Sequence, residues 1–180
     1  LKSLVRFVSK NKQNDPVLSL TIRAGGTDMS GGPLNDSIIV DISNFNRILG
    51  VGGSSTSTEQ GWVATEPGVY YRDFAKATLA KGLLLPSYPA SRDICTIGGM
   101  VANNAGGEKS LRYGKTDNYV QEMNVVFSDG EEYLLKSLNS DELNAKKSLS
   151  NFEGEIYRRM HELVESNYDL IQTARPKVSK

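Results

Sequence analysis

Ten residues, Arg-Ala-Gly-Gly-Thr-Asp-Met-Ser-Gly-Gly from Arg23 to Gly32, constrain this chain more than any other stretch. Gly25, Gly26, Gly31 and Gly32 crowd into eight positions, directly after the β-rich run 17–22, which reads as a strand. Backbone this bare accepts positive φ and lets another group approach closely. Successive N–H groups in such a loop converge on an anion, and Thr27 and Ser30 add small hydroxyl donors. The loop is expected to cradle a phosphate, foremost a pyrophosphate. A turn without a ligand is the plain alternative. Two common nucleotide loops do not fit. A P-loop needs a lysine, and none lies in 23–32. A Rossmann loop needs a different glycine spacing and a helix, whereas Pro33 follows here, although Asp41 stands near the expected distance for a ribose-binding acid.

A second segment, 89–114, supplies a partner. Thr96-Ile-Gly-Gly99 precedes the small-residue run Met100–Ala105, which can form a short helix with Gly98 and Gly99 at its N-terminus. Unpaired N–H groups and the helix dipole would favour an anion there. Ala102, Asn103, Asn104 and Ala105 would let a flat ligand lie against the backbone, and Gly106-Gly107 end the turn. Tight steric packing without a ligand is the alternative.

Lys plus Arg and Asp plus Glu balance at 21 each. That removes any general attraction to nucleic acid or to an anionic membrane. No apolar run is long enough for a transmembrane helix, and the start shows no signal-peptide pattern. The single Cys95 excludes an internal disulfide and suits a reducing, cytoplasmic compartment. The single His161 excludes a multi-histidine metal site, and no metal is expected. Leu1 already lies in a helical pattern and the stretch after Arg175 brings no closing element, so a longer polypeptide is expected.

Periodicity predicts a helix over 1–13, with Leu1, Leu4, Val5 and Val8 on one face, ended by Asn14-Asp15-Pro16. Strands are expected at 17–22, 38–41, 47–51 and 62–65, with 52–60 a mobile surface loop. A helix set by Tyr70, Phe74 and Ala77 ends at Gly82. Residues 119–136 read as a hairpin around a two-residue Asp129-Gly130 turn. A polar linker, 137–150, leads to a helix near 152–166 with Phe152, Ile156, Met160, Leu163 and Val164 on its apolar face. The order argues for α+β rather than a doubly wound sheet. Trp62 is expected in the core or on a sheet face, Cys95 as a small packed residue, and His161 as a partly exposed helix residue. Arg92 and Asp93 are expected to orient the second loop or touch a cofactor, or else to form a local ion pair. Arg112 is expected to screen phosphate charge or to cap its segment.

The two segments resemble the flavin-binding motifs of the vanillyl-alcohol-oxidase or PCMH-type FAD domain, in particular the D-lactate dehydrogenase and glycolate oxidase flavoproteins. The resemblance runs through Arg23–Gly32, Val40–Ile48, Glu66–Val69, Pro89–Gly99, Asn104–Gly107 and Arg112–Gly114, in order, over most of 1–136. Ala24 and Asp28 replace glycines of the pattern, and the Asp28 side chain is expected to point away or to cap the loop.

The resemblance implies an α+β fold of two small subdomains around the cofactor, incomplete at the C-terminus. It implies an FAD-binding region over 1–136, divided near residue 68, then a linker and helix over 137–180. By the same resemblance the backbone of Ala24, Gly25, Gly26, Thr27 and Asp28, with Ser30, would hold the pyrophosphate, and Arg23 and Gly31 would belong to the same cofactor site. Thr96, Gly98, Gly99, Asn104 and Gly107 would line the pyrophosphate, ribityl and flavin-ring side, Tyr113 and Gly114 would close near the flavin, and Pro89 and Ser91 would belong to the cofactor site. FAD is expected to be non-covalent, since no histidine lies near either loop.

The implied activity is oxidation of a small 2-hydroxy acid by hydride transfer to FAD, with electrons passing to a quinone, an iron–sulfur partner or another carrier. The longer protein would be cytoplasmic or peripheral to a membrane. The substrate-binding arginine, catalytic histidine and metal ligands of that group would lie later in the polypeptide, so this stretch carries no expected catalytic residue and is not expected to turn over substrate. The flavin subunit of a molybdenum hydroxylase and a non-catalytic nucleotide-binding or scaffold domain are the alternatives.

Overall fold

A computed structural model of the chain describes residues 1–56 and 60–175. By internal contacts they form two units, Lys10–Val120, and Leu1–Ser9 together with Gln121–Lys180.

In the first unit, β1 (Leu20–Arg23) pairs in parallel with β2 (Ile38–Asp41), from Leu20↔Ile38 to Arg23↔Asp41. Parallel partners need a long crossover, and here the crossover is the glycine loop itself rather than a helix. Asn35 ties it down, with its Nδ2 donating to Thr21 Oγ1 at 2.9 Å. The strand begins at Leu20, three residues after the expected start. Asp15 accounts for the difference: it turns the chain by accepting the Val17 N–H on its side chain and the Leu18 N–H on its carbonyl.

β3 (Ile48–Gly52) and β4 (Trp62–Thr65) form an antiparallel pair. Of the two places expected for Trp62 it takes the sheet face and not the core: it is exposed, its ring across Gly50 and Gly52. The described part of the 52–60 stretch is pinned, since Ser55 N–H donates to the Lys81 carbonyl and Lys81 Nζ to that of Val51. The rest of that expected loop, 57–59, lies outside the described residues, as does 176–180.

Helix α2 (Tyr71–Leu79) turns Tyr71, Phe74 and Thr78 inward. The core it joins is Val69, Tyr71, Phe74, Tyr88, Cys95, Met100 and Ala105. The Tyr71 and Tyr88 rings are 5.4 Å apart. Tyr71 satisfies its hydroxyl by donating to the Leu85 carbonyl at 2.7 Å, and burial pushes its pKa up to about 12. Met100 anchors α3 (Ile97–Ala102) to this core with 2 % of its surface exposed. A short α4 (Ser110–Tyr113) and a 3-10 turn (Thr116–Tyr119) follow. Thr116 is buried, donating from both N–H and Oγ1 to the Ala105 carbonyl.

In the second unit, β5 (Glu122–Val126) and β6 (Glu132–Lys136) make the expected hairpin, but its turn is longer than two residues. Phe127 N–H still reaches the Glu131 carbonyl, and Gly130 N–H closes on the Phe127 carbonyl. That leaves a three-residue loop whose last position, Gly130, sits at φ 78°, the left-handed geometry such a loop requires. From α1 (Lys2–Asn11), Lys2 and Arg6 both pair with Glu131.

Residues 140–148, expected as linker, form α5 (Ser140–Ser148). The segment is polar all round, so it shows no amphipathic period. Its signal is a capping box: Asn139 accepts the Glu142 N–H, and Glu142 accepts the Asn139 N–H. Asn139→Ala is expected to cost about 1 kcal/mol of local helix stability. Amide exchange through 140–148 should then run about fivefold faster, which hydrogen-exchange mass spectrometry would read directly.

Helix α6 (Phe152–Ser166) has the expected bounds, but its apolar face is only partly used. Phe152 packs edge-on against Phe127, whereas Met160, Leu163 and Val164 are exposed. The buried positions are Glu153, paired with Lys146, and Gly154. A further helix, α7 (Tyr168–Ala174), follows. Among the described residues no helix is long and apolar enough to cross a membrane.

Candidate functional site

The two glycine-rich segments meet within the first unit. Gly25 lies so close to the second segment that a Cβ there would stand 2.6 Å from the Ile94 carbonyl oxygen and 3.2 Å from Cys95 Cα. A Cβ on Gly99 would sit 3.4 Å from Cβ of Ala24. Beneath this contact lies Cys95, buried as expected of a packed residue, with burial raising its thiol pKa.

The first loop has two unlike halves. Residues 23–27 are half-buried and 28–30 are exposed. Gly26 takes φ 66°, and the guanidinium of Arg23 folds over it, 2.6 Å from where a Cβ would be. Among the described residues, the N–H groups of Gly25, Gly26 and Thr27 have no protein acceptor, and Arg23 forms no ion pair. Beyond them Asp28 caps the loop, one of the two orientations expected for it. Its carboxylate accepts the Ser30 N–H at 3.2 Å, the Ser30 hydroxyl at 2.7 Å and the Gly32 N–H at 3.1 Å. These bonds, the Ser30 hydroxyl first, hold the Asp28 pKa below the ordinary carboxylate value. Gly31, at φ 84°, makes the turn, and its carbonyl accepts the Leu34 N–H.

The second segment corrects one expectation. The first turn of α3 does not present free N–H groups. Ile97 N–H donates to the Val69 carbonyl at 2.8 Å, and Gly98 N–H to the Pro67 carbonyl at 2.8 Å. Gly99 N–H takes Thr96 Oγ1, the N-cap, at 3.3 Å. Thr96 is therefore a cap with 1 % of its surface exposed, and Gly98 and Gly99 offer close approach of backbone rather than amide donors. Pro67 and Val69, which make this arrangement, are not among the residues expected at the site. Their signal was the Glu66-Pro-Gly68 turn, which contains Pro67 and directly precedes Val69.

Pro89 and Ser91 form the turn before α3: Pro89 accepts the Arg92 N–H, and the Ser91 carbonyl accepts those of Ile94 and Cys95. Gly107 presses onto the Tyr88 carbonyl and Pro89, where a side chain has no room, and its N–H donates to Ser110 Oγ. Asn104, Tyr113 and Gly114 form a separate group. Asn104, at φ 44°, accepts the Asp117 N–H through Oδ1, and the Tyr113 carbonyl accepts the Tyr119 hydroxyl. Gly114 lies against Asn118.

The local ion pair considered for Arg92 and Asp93 does not form. Arg92 lies over the Tyr88 ring, and the Asp93 carbonyl accepts from Arg72. Arg112 lies over Tyr113. His161 is half-buried in α6. Among the described residues no cluster of acidic, cysteine or histidine side chains could hold a metal ion.

Glu66 braces the turn that receives Gly98. It binds Arg47 twice, at Nε and Nη2, and also accepts the Arg47 N–H at 2.9 Å. The Arg47 side chain, followed by its backbone N–H, holds the Glu66 pKa below its usual value. A folded-state pKa depressed in this way gives stability that is present above the unfolded carboxylate pKa and is lost as pH falls through the folded one. Glu66→Gln is expected to lower the urea midpoint at pH 7 and to flatten its fall below about pH 4. Urea titrations at pH 7 and pH 3 would show an unchanged slope if the pair contributes nothing.

These geometries agree with the comparisons. Residues 1–135 match the FAD binding domain family. The D-2-hydroxyglutarate dehydrogenase of Pseudomonas putida is 31% identical over 164 residues, covering 91% of this chain and 16% of the relative. The glycolate oxidase subunit GlcD of Bacillus subtilis is 36% identical over 112 residues, covering 61% and 23%. A D-lactate dehydrogenase of Anaerostipes hadrus is 31% identical over 131 residues, covering 72% and 25%. The chain thus spans at most a quarter of the length of these relatives. A solved alkyldihydroxyacetonephosphate synthase shares the fold, with a TM-score of 0.59 at 21% identity over 77% of this chain and 24% of that one. With both glycine-rich segments inside the matched span and packed against each other, this chain belongs to the FAD binding domain family.

Proposed function

We propose that this chain is the cofactor-holding part of a flavoprotein that oxidises a small 2-hydroxy acid, with FAD held non-covalently. The observation that carries the reading is the close contact of Gly25 with Cys95 and Thr96, which brings the uncommitted amides of the first loop beside the bare backbone of the second. The donor set fits a diphosphate: the half-buried N–H groups of Gly25, Gly26 and Thr27 have no protein acceptor, and the Arg23 guanidinium against Gly26 forms no hydrogen bond or ion pair among the described residues. Gly99, whose missing Cβ leaves only ordinary contacts with Ala24 and Thr96, gives the bare backbone assigned to the flat ring system, and Gly107, Asn104, Tyr113 and Gly114 are assigned to the same ligand by the family pattern. The flavin, when bound, supplies the redox chemistry by accepting a hydride from the carbinol carbon, and the protein supplies position and electrostatics. This chain's own residues bind and orient; none of them is assigned to proton transfer. The substrate class rests on the names of the relatives, D-2-hydroxyglutarate and D-lactate dehydrogenases and a glycolate oxidase subunit. A quinone or an iron–sulfur partner would take the electrons onward.

Titration of FAD into the protein, followed by flavin fluorescence, tests the reading. Saturable quenching is expected, and acid precipitation should leave the yellow colour in solution. Colour carried down with the protein would refute non-covalent binding, and absence of quenching would refute the cofactor role. For the substrate class, the full-length protein should bleach anaerobically with D-lactate, glycolate or D-2-hydroxyglutarate. Failure with all three would remove it.

A further inference from the structure

The loop 23–32 carries more potential anion donors than it leaves open, and the way they are divided assigns a role to Asp28. This inference rests on the FAD reading above. We propose that the Asp28 carboxylate is a built-in anion that closes the 30–32 half of the loop to phosphate, so that the diphosphate is received on Gly25, Gly26 and Thr27 beneath Arg23.

Three observations support this division. First, three donors of the far half, the Ser30 N–H, the Ser30 hydroxyl and the Gly32 N–H, all end on Asp28. A phosphate placed there would have to displace a carboxylate held by three hydrogen bonds, and would stand next to its charge. Second, the first-turn amides of α3 are used as well, ending on Val69, Pro67 and Thr96. The half-buried amides of Gly25, Gly26 and Thr27, by contrast, have no protein acceptor. Third, Arg23 adds a cation over that run. Its guanidinium lies against Gly26 and is engaged by no hydrogen bond or ion pair among the described residues. Its electrostatic partner is Asp41, whose carboxyl is held below the usual pKa first by hydrogen bonds from Ser43 and least by Arg23. Burial follows the same line, with 23–27 half-buried and 28–30 exposed.

The division changes which residues of the loop should matter. Ser30, expected from the resemblance at the pyrophosphate, becomes part of the Asp28 cap, and Gly31, expected at the cofactor site, becomes the turn within it. The glycine that Asp28 replaces in the related pattern would have left the far amides open. In this chain the anion for that nest is supplied internally.

Backbone amide NMR of the protein titrated with FAD tests the proposal without any substitution. The Gly25, Gly26 and Thr27 resonances should move with ligand while those of Ser30 and Gly32 hold. Two variants extend the test. Asp28→Ala should open the far half, so that the Ser30 and Gly32 amides respond to inorganic phosphate, which leaves them unmoved in the parent protein. Arg23→Met should weaken FAD binding about tenfold with an unchanged melting temperature, and Arg23→Lys should restore part of it. Ser30 and Gly32 moving together with Gly26 in the parent protein would overturn the proposal, as would unaltered affinity in Arg23→Met. If FAD quenches normally but the 25–27 amides stay silent, the cofactor reading survives and this inference falls. If FAD neither quenches nor shifts any amide, both are lost.

Discussion

Gly25→Ala is expected to destabilise the Lys10–Val120 unit by roughly 2–3 kcal/mol, a loss on the scale of a severe core substitution. The added carbon would meet the Ile94 carbonyl oxygen at 2.6 Å, Cys95 Cα at 3.2 Å and the Thr96 N at 3.4 Å. All three are backbone atoms, so no side chain can swing aside to make room. The Cys95 carbonyl also accepts the Tyr71 N–H, and Thr96 caps α3, so relief of the clash must disturb either α2 or α3. The melting temperature should fall by about 10 °C, and FAD quenching should be lost with it. An unchanged melting curve would mean that the two segments are not packed as described, and the cofactor site built on that contact would go with it.

Much of this arrangement could be read from residue types. The crowding of glycines at 25–26 and 98–99 announced two bare backbones, and a strand before one and a short helix after the other followed from composition. β2, β4 and α6 fall on their expected bounds because each is a continuous apolar or periodic run between clear breakers. The cap by Asp28 was legible too, since an aspartate two residues before a serine readily accepts its N–H.

What was not legible depends on pairing across distance. Whether the amides of α3 are free is decided by Pro67 and Val69, about thirty residues earlier, and nothing in Thr96–Gly99 itself records that. α5 escaped notice because a helix polar on every side has no period, and its two-way cap at Asn139 and Glu142 was the only local sign. The C-terminal half of the α6 apolar face misled for the opposite reason. Met160, Leu163 and Val164 carry the correct spacing for burial, yet all three are exposed, because periodicity says which side of a helix is apolar and not what covers it.

The neighbouring glycines of α3 should respond in opposite ways, with Gly98→Ala the larger effect. At Gly98 a Cβ would stand 2.5 Å from Pro67 Cβ and 2.8 Å from its carbonyl oxygen, the same oxygen that accepts the Gly98 N–H. The clash and the hydrogen bond share one partner, so moving Pro67 away breaks the bond. The Glu66-Pro-Gly68 turn is held in place by Arg47, and Gly68 itself is packed against the Ile42 and Phe45 carbonyls, which leaves it little freedom to yield. A loss of about 2–3 kcal/mol is expected. At Gly99 the nearest neighbours of a Cβ are Ala24 Cβ and Thr96 Oγ1, both at 3.4 Å, an ordinary contact. A helical glycine gives up roughly 0.5–1 kcal/mol relative to alanine, so Gly99→Ala should hold or gain stability. If the bare face of α3 serves the cofactor, Gly99→Ala should nevertheless weaken FAD binding several-fold while its urea midpoint stays level or rises. Unfolding and FAD titrations on the pair separate fold from site: equal destabilisation of both variants would refute the packing, whereas full FAD affinity in Gly99→Ala would remove that face from the binding surface.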